Sequence, residues 1–296
     1  MFSFHLWQFS FEEFIAAKSF QMENVYREIK DSVNSFILKG KDFSAPHTDI
    51  FSGDFGKLFE EYALWGGYPE IIKAENEETR RIILKNIYDT YITKDIIELL
   101  KITDYARLRT LLISLANNIG GLLNYNELCL TANSYFKEVK QHLSILQETF
   151  IINLLRPFYR NRATELKKNP KPYFVDTGLR NYIIGNFGEL FTRPDAGKIV
   201  ENFVLTQLMI QKNEDYQIKF WRTLNKAEVD FVLEKDSVLI PAEVKYSEMR
   251  SPQISRSFRN FIIQYNPETA IILTKNYWGS LTVDKTKIKF IPVWFI

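Results

Sequence analysis

The spacing of apolar residues changes partway along this chain, and that change constrains its fold more than any other feature. From Phe11 to about Lys101 they recur at three- and four-residue intervals, as in "FEEFIAA" and "RRIILKNIYDTYITKDIIELL", the period of helices with one buried face. In the last 115 or so residues they fall into short strand-like runs: "QIKFWR", "EVDFVLE", "VLIPAEVK", "TAIILT" and "IKFIPVWF". Helical segments "AGKIVENFVLTQLMIQ" and "SRSFRNFIIQY" flank those runs, which predicts helices against a mixed sheet, an α/β unit in a chain that is α+β overall.

Between these parts the pattern is helix, short helix, helix, then two strands. "YARLRTLLISLANNIG", "NYNELCLTA" and "SYFKEVKQHLSILQET", the last with Ser134 as its cap, precede "FIINLLRPFY" and "KPYFVD". Three helices and a two-stranded ribbon predict a winged helix-turn-helix, whose third helix usually reads the major groove of duplex DNA. Its exposed candidates are Tyr135, Lys137, Lys140 and Gln141. The connection between the strands adds Arg160, Arg162, Lys167 and Lys168, and from Arg156 to Lys171 six cations face Glu165, a local charge of +5 suited to phosphates. The expected organisation is a helical module over 1–101, a winged helix over 102–180 and an α/β domain over 181–296.

Composition removes several function classes. Of 296 residues, 46% are apolar, enough for a sizeable core, and the formal charge of +2 names no partner. One cysteine, Cys129, forbids an intramolecular disulfide, and His5, His47 and His142 lack zinc-ligand spacing, so a cytoplasmic setting is expected. The longest uncharged run, Thr110 to Asn126, is broken by Asn117, Asn118, Gly120 and Gly121, so no membrane partner is expected. "GDFGKL" at Gly53 to Leu58 is no phosphate loop: two residues separate its glycines where the Walker form has four, and Leu58 stands where Ser or Thr belongs. No nucleotide is expected.

The chemistry-bearing residues lie in "AEVDFVLEKDSVLIPAEVK", Ala227 to Lys245. Strand side chains alternate, so Glu243 and Lys245 share a face, and Val229 and Phe231 are expected on the face opposite Asp230. If "LEKDS" turns the chain, Asp230 and Glu243 can stand side by side. Two such carboxylates repel unless a cation neutralises them, and Mg²⁺ (or Mn²⁺) suits that role. Glu201, four and seven residues before Leu205 and Leu208 on its helix, can lean toward the same place and bind a metal-bound water. Lys245 would hold the attacking water or offset charge on a phosphate.

In this order, helical Glu201, strand Asp230 and the Glu243-Val244-Lys245 triplet resemble the signature of the PD-(D/E)XK nuclease superfamily. The resemblance implies Mg²⁺ on Asp230 and Glu243, assistance from Glu201, and Lys245 acting in phosphodiester hydrolysis. Ala227 and Glu228 stand where a proline would precede the aspartate, and Glu228 faces the same side as Asp230, leaving open which carboxylate a metal prefers. The blocks "FSFEEF", "WGGYPE", "YITKDI", "YFVDTGL", "VENFV", "FWR", "EVDFVL" and "PAEVK" together resemble the C-terminal half of prokaryotic AAA-type ATPases carrying a C-terminal domain of unknown function, DUF4143. In that family an ATPase core precedes "FSFEEF", whereas this chain starts almost there. The expectation is a duplex-DNA-binding protein with a Mg²⁺-dependent, endonuclease-like C-terminal domain; the alternative is a non-catalytic DNA- or protein-binding subunit or remnant of such an ATPase. A homo-oligomer or a separate ATPase is a further expected partner.

Overall fold

The computed structural model describes residues 7–46, 51–96, 104–211 and 216–296. His5, His47, the end of the helical run predicted to Leu100, and the side chain of Arg162 lie outside what is described. The first helix, α1 (Phe11–Lys18), begins where Ser10 accepts from the Glu13 amide while the Glu13 carboxylate accepts from the Ser10 amide at 2.7 Å, a reciprocal cap that fixes the start. With α2 (Phe20–Lys39) and α3 (Ser52–Trp65) it buries Phe11, Phe14, Tyr26, Phe55 and Phe59. The Tyr26 hydroxyl donates to the Trp294 carbonyl at 2.6 Å, tying this first part to the chain's end.

"WGGYPE" is a packed turn. After α3 the chain bends at Gly66, with φ +82°, and α4 (Pro69–Lys73) follows. Any Cβ on Gly66 would lie 2.2 Å from the Asp176 carboxylate, and one on Gly178 would lie 2.0 Å from the Trp65 carbonyl, so both positions exclude larger residues. Asp176 accepts from the Gly67 and Leu179 amides, each at 2.8 Å, and so caps a later helix, α10 (Thr177–Ile184), while holding the turn. Next comes α5 (Glu77–Ile87), which continues as a π-helical stretch, Tyr88–Ile96.

The middle of the chain folds as α6 (Tyr105–Asn117), α7 (Tyr125–Thr131), α8 (Phe136–Glu148) and an antiparallel ribbon of β1 (Ile152–Leu155) and β2 (Lys171–Phe174). Ser134 does not cap α8; Tyr135 holds the cap position, and the Ser134 hydroxyl donates to Glu138. The connection between the strands contains a helix that the sequence pattern did not predict, α9 (Arg162–Lys167).

The last part is a six-stranded sheet in the order β3 (Gln217–Arg222), β4 (Glu228–Lys235), β5 (Val238–Lys245), β6 (Thr269–Thr274), β8 (Thr286–Pro292), β7 (Gly279–Val283). The first three strands are antiparallel; β6 runs parallel to both β5 and β8, so the sheet is mixed, as predicted. The edge strand β7 was not anticipated, because "GSLTV" carries little apolar signal. Helix α11 (Ala196–Ile210) contributes Val200, Phe203 and Val204 to one core, and α12 (Arg256–Tyr265) contributes Phe258, Phe261 and Ile262 to another. The larger core runs without a break from Phe11 and Phe59 through Leu111 and Leu146 to Phe203, Phe231 and Phe295, so all three segments share it.

Candidate functional site

The strands around the predicted site do not alternate regularly. Between β3 and β4 the register shifts, Lys219 facing Val232 but Trp221 facing Val229, a bulge that places one extra residue in β4 at Asp230 and Phe231. Val229 therefore joins the core under α12 while Phe231 joins the core under α11, correcting the expectation that both lie opposite Asp230. The predicted hairpin does form: β4 and β5 pair antiparallel, with Phe231 facing Ala242 and Asp236 at φ +54° in the turn.

Asp230 and Glu243 make different hydrogen bonds. The Asp230 carboxylate accepts from the Val244 amide at 2.8 Å, and the charges acting on it come first from Glu201 and Lys171 and least from Glu243. Burial, then repulsion from Glu201, pushes the Asp230 carboxyl up to about 7. Glu243 instead accepts from the Ser255 hydroxyl at 2.9 Å, at the head of α12, and pairs with Lys245 at 2.6 Å. Glu243 and Lys245 do share a face, but Glu243 answers to α12 and Asp230 to α11.

What gathers beside Asp230 is a different set. Lys171, the first residue of β2, extends its ammonium to Glu228 at 2.6 Å and to Glu201 at 3.4 Å. Burial disfavours its charge, but Glu201, Glu228 and Asp230 outweigh this and raise its pKa. Glu228 also pairs with Arg222, and its pKa is lowered: burial opposes ionisation, but Lys171 and Arg222 overcome it. Glu201, buried in α11, accepts from the Tyr173 hydroxyl and pairs with Lys198 at 3.6 Å. Gly120, at φ +66°, lies so close that a Cβ there would sit 3.1 Å from Glu201. The winged helix thus covers Glu201 with a loop from one side and the β2 side chains from another.

These residues do not suit a divalent ion as placed. Among the described residues no three His, Cys, Asp or Glu side chains are arranged to hold a metal. The predicted ligands Asp230, Glu243 and Glu201 each have protein partners, and Lys171 already supplies positive charge to Glu201, the carboxylate that acts most on Asp230. The charge count places Lys171 among the phosphate-binding cations of the wing and so misses its role here. Its spacing of two from Tyr173 on one strand was the available signal that both face Glu201.

The predicted nucleic-acid residues are differently placed. Tyr135, Lys137, Lys140 and Gln141 are all exposed, while Val139, His142, Leu143 and Leu146 form the buried face of α8. The Lys140 ammonium lies 4.7 Å from the ring centre of the exposed Phe136. Beside α8 runs a groove of about 420 Å³, lined by Tyr125, Phe136, Lys140, Arg156, Lys167 and Lys168 among others, with no carboxylate in its lining. Lys167, Lys168 and Asn169 also line a second groove, of about 370 Å³, with Arg222 and Lys226. Arg160 lies apart, its guanidinium 5.5 Å from the Tyr265 ring on α12. Arg156, which sequence reasoning counted only in the charge total, belongs to the first groove.

Residues 196–296 match the family profile of DUF4143, a domain of unknown function. Residues 56–190 match a second, DUF8612, also a domain of unknown function, which begins within α3 and runs through the winged helix. An uncharacterized protein of Haemophilus influenzae is 25% identical over 277 residues, 92% of this chain and 65% of that protein. One of Mycobacterium tuberculosis is 28% identical over 206 residues, 68% of this chain and 46% of the relative. One of Methanocaldococcus jannaschii is 24% identical over 292 residues, 94% of this chain and 64% of the relative. The chain therefore spans less than two thirds of the length of these relatives. No solved structure matches it. Among the described residues no helix is long and apolar enough to cross a membrane.

Proposed function

We propose that this chain is a nucleic-acid-binding module that grips duplex DNA with the winged helix and uses the C-terminal sheet as a rigid support. The observation that carries this reading is the groove beside α8, where Lys140, Arg156, Lys167 and Lys168 converge without a lining carboxylate next to the exposed Tyr135, Lys137 and Gln141. Cations so placed favour phosphates, and polar side chains on the outer face of a third helix are in position for base edges. The wing is well anchored for such work. The Phe220 amide donates to the Arg156 carbonyl at 3.1 Å, and Lys219 pairs with Glu165 of α9 at 2.7 Å.

Fluorescence anisotropy of a labelled duplex tests the proposal. Four groove cations predict a slope of log K against log salt of about −3.6, and Lys167→Ala with Lys168→Ala should reduce its magnitude by about 1.8. Affinity that ignores both salt and these substitutions would refute it. Binding without cleavage is favoured over hydrolysis, because Glu201 is engaged by Lys171, Asp230 by the Val244 amide, and Glu243 by Ser255 and Lys245. Plasmid nicking that needs Mg²⁺ and disappears in both Asp230→Ala and Lys245→Ala would reverse that preference and restore a nuclease of the PD-(D/E)XK kind, with Mg²⁺ at Asp230.

A further inference from the structure

A lysine from the wing stands where the sequence pattern called for a metal. We propose that Lys171 is the resident counter-ion of the Glu201, Glu228 and Asp230 cluster, so that these carboxylates join the wing to the sheet and do not take up a divalent cation. Three observations support this independently of the groove. Lys171 is 1% exposed, although a lysine is almost never fully buried unless paired, and its ammonium reaches both Glu228 at 2.6 Å and Glu201 at 3.4 Å. Other donors engage the cluster as well: Tyr173 and Lys198 reach Glu201, Arg222 reaches Glu228, and the Val244 amide reaches one oxygen of Asp230. The strand that delivers Lys171 is fixed close by. Leu155, its partner in the ribbon, directly precedes Arg156, whose carbonyl accepts from Phe220, and the Phe220 ring lies 5.0 Å beneath the ammonium.

Clustered carboxylates need positive charge nearby, and a covalently tethered ammonium supplies it without the dilution of a dissolved ion. A lysine in that position also excludes Mg²⁺, which requires near-ideal octahedral oxygen coordination and tolerates no ammonium in its shell.

The test follows Mn²⁺ binding by loss of the free-ion electron paramagnetic resonance signal, together with melting of the full chain in metal-free and Mn²⁺ buffers. Wild type and Asp230→Asn should bind Mn²⁺ equally weakly, within about twofold, with no melting shift on adding the ion. Lys171→Ala should lower Tm by about 5–10 °C without metal, because it leaves charged carboxylates uncompensated, and Mn²⁺ should restore part of that loss unless Asp230→Asn is also present. Should the alanine variant fail to fold, the wild-type comparison decides alone. Wild-type Mn²⁺ binding at least tenfold tighter than that of Asp230→Asn would overturn the proposal, as would a Lys171→Ala chain whose Tm stays within about 1 °C of wild type. Neither result bears on DNA binding at the groove.

Discussion

Replacing Asp176 with asparagine should make the protein's stability less dependent on pH, in a direction the structure fixes. Asp176 is 1% exposed and accepts from the Gly67 amide with one carboxylate oxygen and from the Leu179 amide with the other, so asparagine keeps one of these bonds at most, a loss equal at every pH, and carries no charge. Burial raises its carboxyl from an ordinary 3.8 to about 6, against the lowering effect of the amides of Leu179, Gly67 and Gly178. The folded state thus holds this proton more tightly than the unfolded chain. Its contribution to stability is complete below about pH 4 and lost as pH rises through about 6, a change of about 3 kcal/mol at 1.36 kcal/mol per pH unit. Asparagine carries no such penalty. Between pH 4 and pH 7 the stability of Asp176→Asn should therefore gain about 2.4 kcal/mol relative to wild type, or roughly 5–10 °C in Tm. Circular dichroism melts and urea titrations of both chains at the two pH values measure that difference, and carboxyls common to both cancel. A difference that stays constant within about 0.5 kcal/mol would refute the claim that ionised Asp176 is destabilised by its surroundings.

Two further substitutions probe the packing that carries the site. Gly178→Ala would place a Cβ 2.0 Å from the Trp65 carbonyl, backbone that cannot step aside cheaply, so a loss of about 3 kcal/mol or more is expected in urea unfolding. Tyr26→Phe removes the 2.6 Å hydrogen bond to the Trp294 carbonyl and leaves that buried acceptor unpaired, which should cost about 1–3 kcal/mol with little change in the near-ultraviolet spectrum.

The sequence by itself determined most element types and their order, α9 and β7 apart, because hydrophobic periodicity is local. The three helices before a ribbon and the β4–β5 hairpin were readable from residues near one another. The blocks that prompted a family resemblance proved to be mutual supports: "WGGYPE" is held by the Asp176 of "YFVDTGL", and the Asn202 of "VENFV" donates to the Phe174 carbonyl at 2.7 Å and accepts from its amide at 2.8 Å. The exposed face of α8 was legible for the same reason, since apolar residues at helical spacing leave the others outward.

Which charges meet was decided only by tertiary structure. Strict alternation along β4 would have left Val229 and Phe231 on one face, but a single extra residue there sent them to different cores, and Asp230 feels Glu201 and Lys171 more than Glu243. Lys171 and Glu228 are 57 positions apart, and the strand spacing that sets Lys171 apart from Lys167 and Lys168 does not say which carboxylate it meets. Burial of a charge depends on what folds over it, and here the covering chain comes from a different segment than the carboxylates it neutralises.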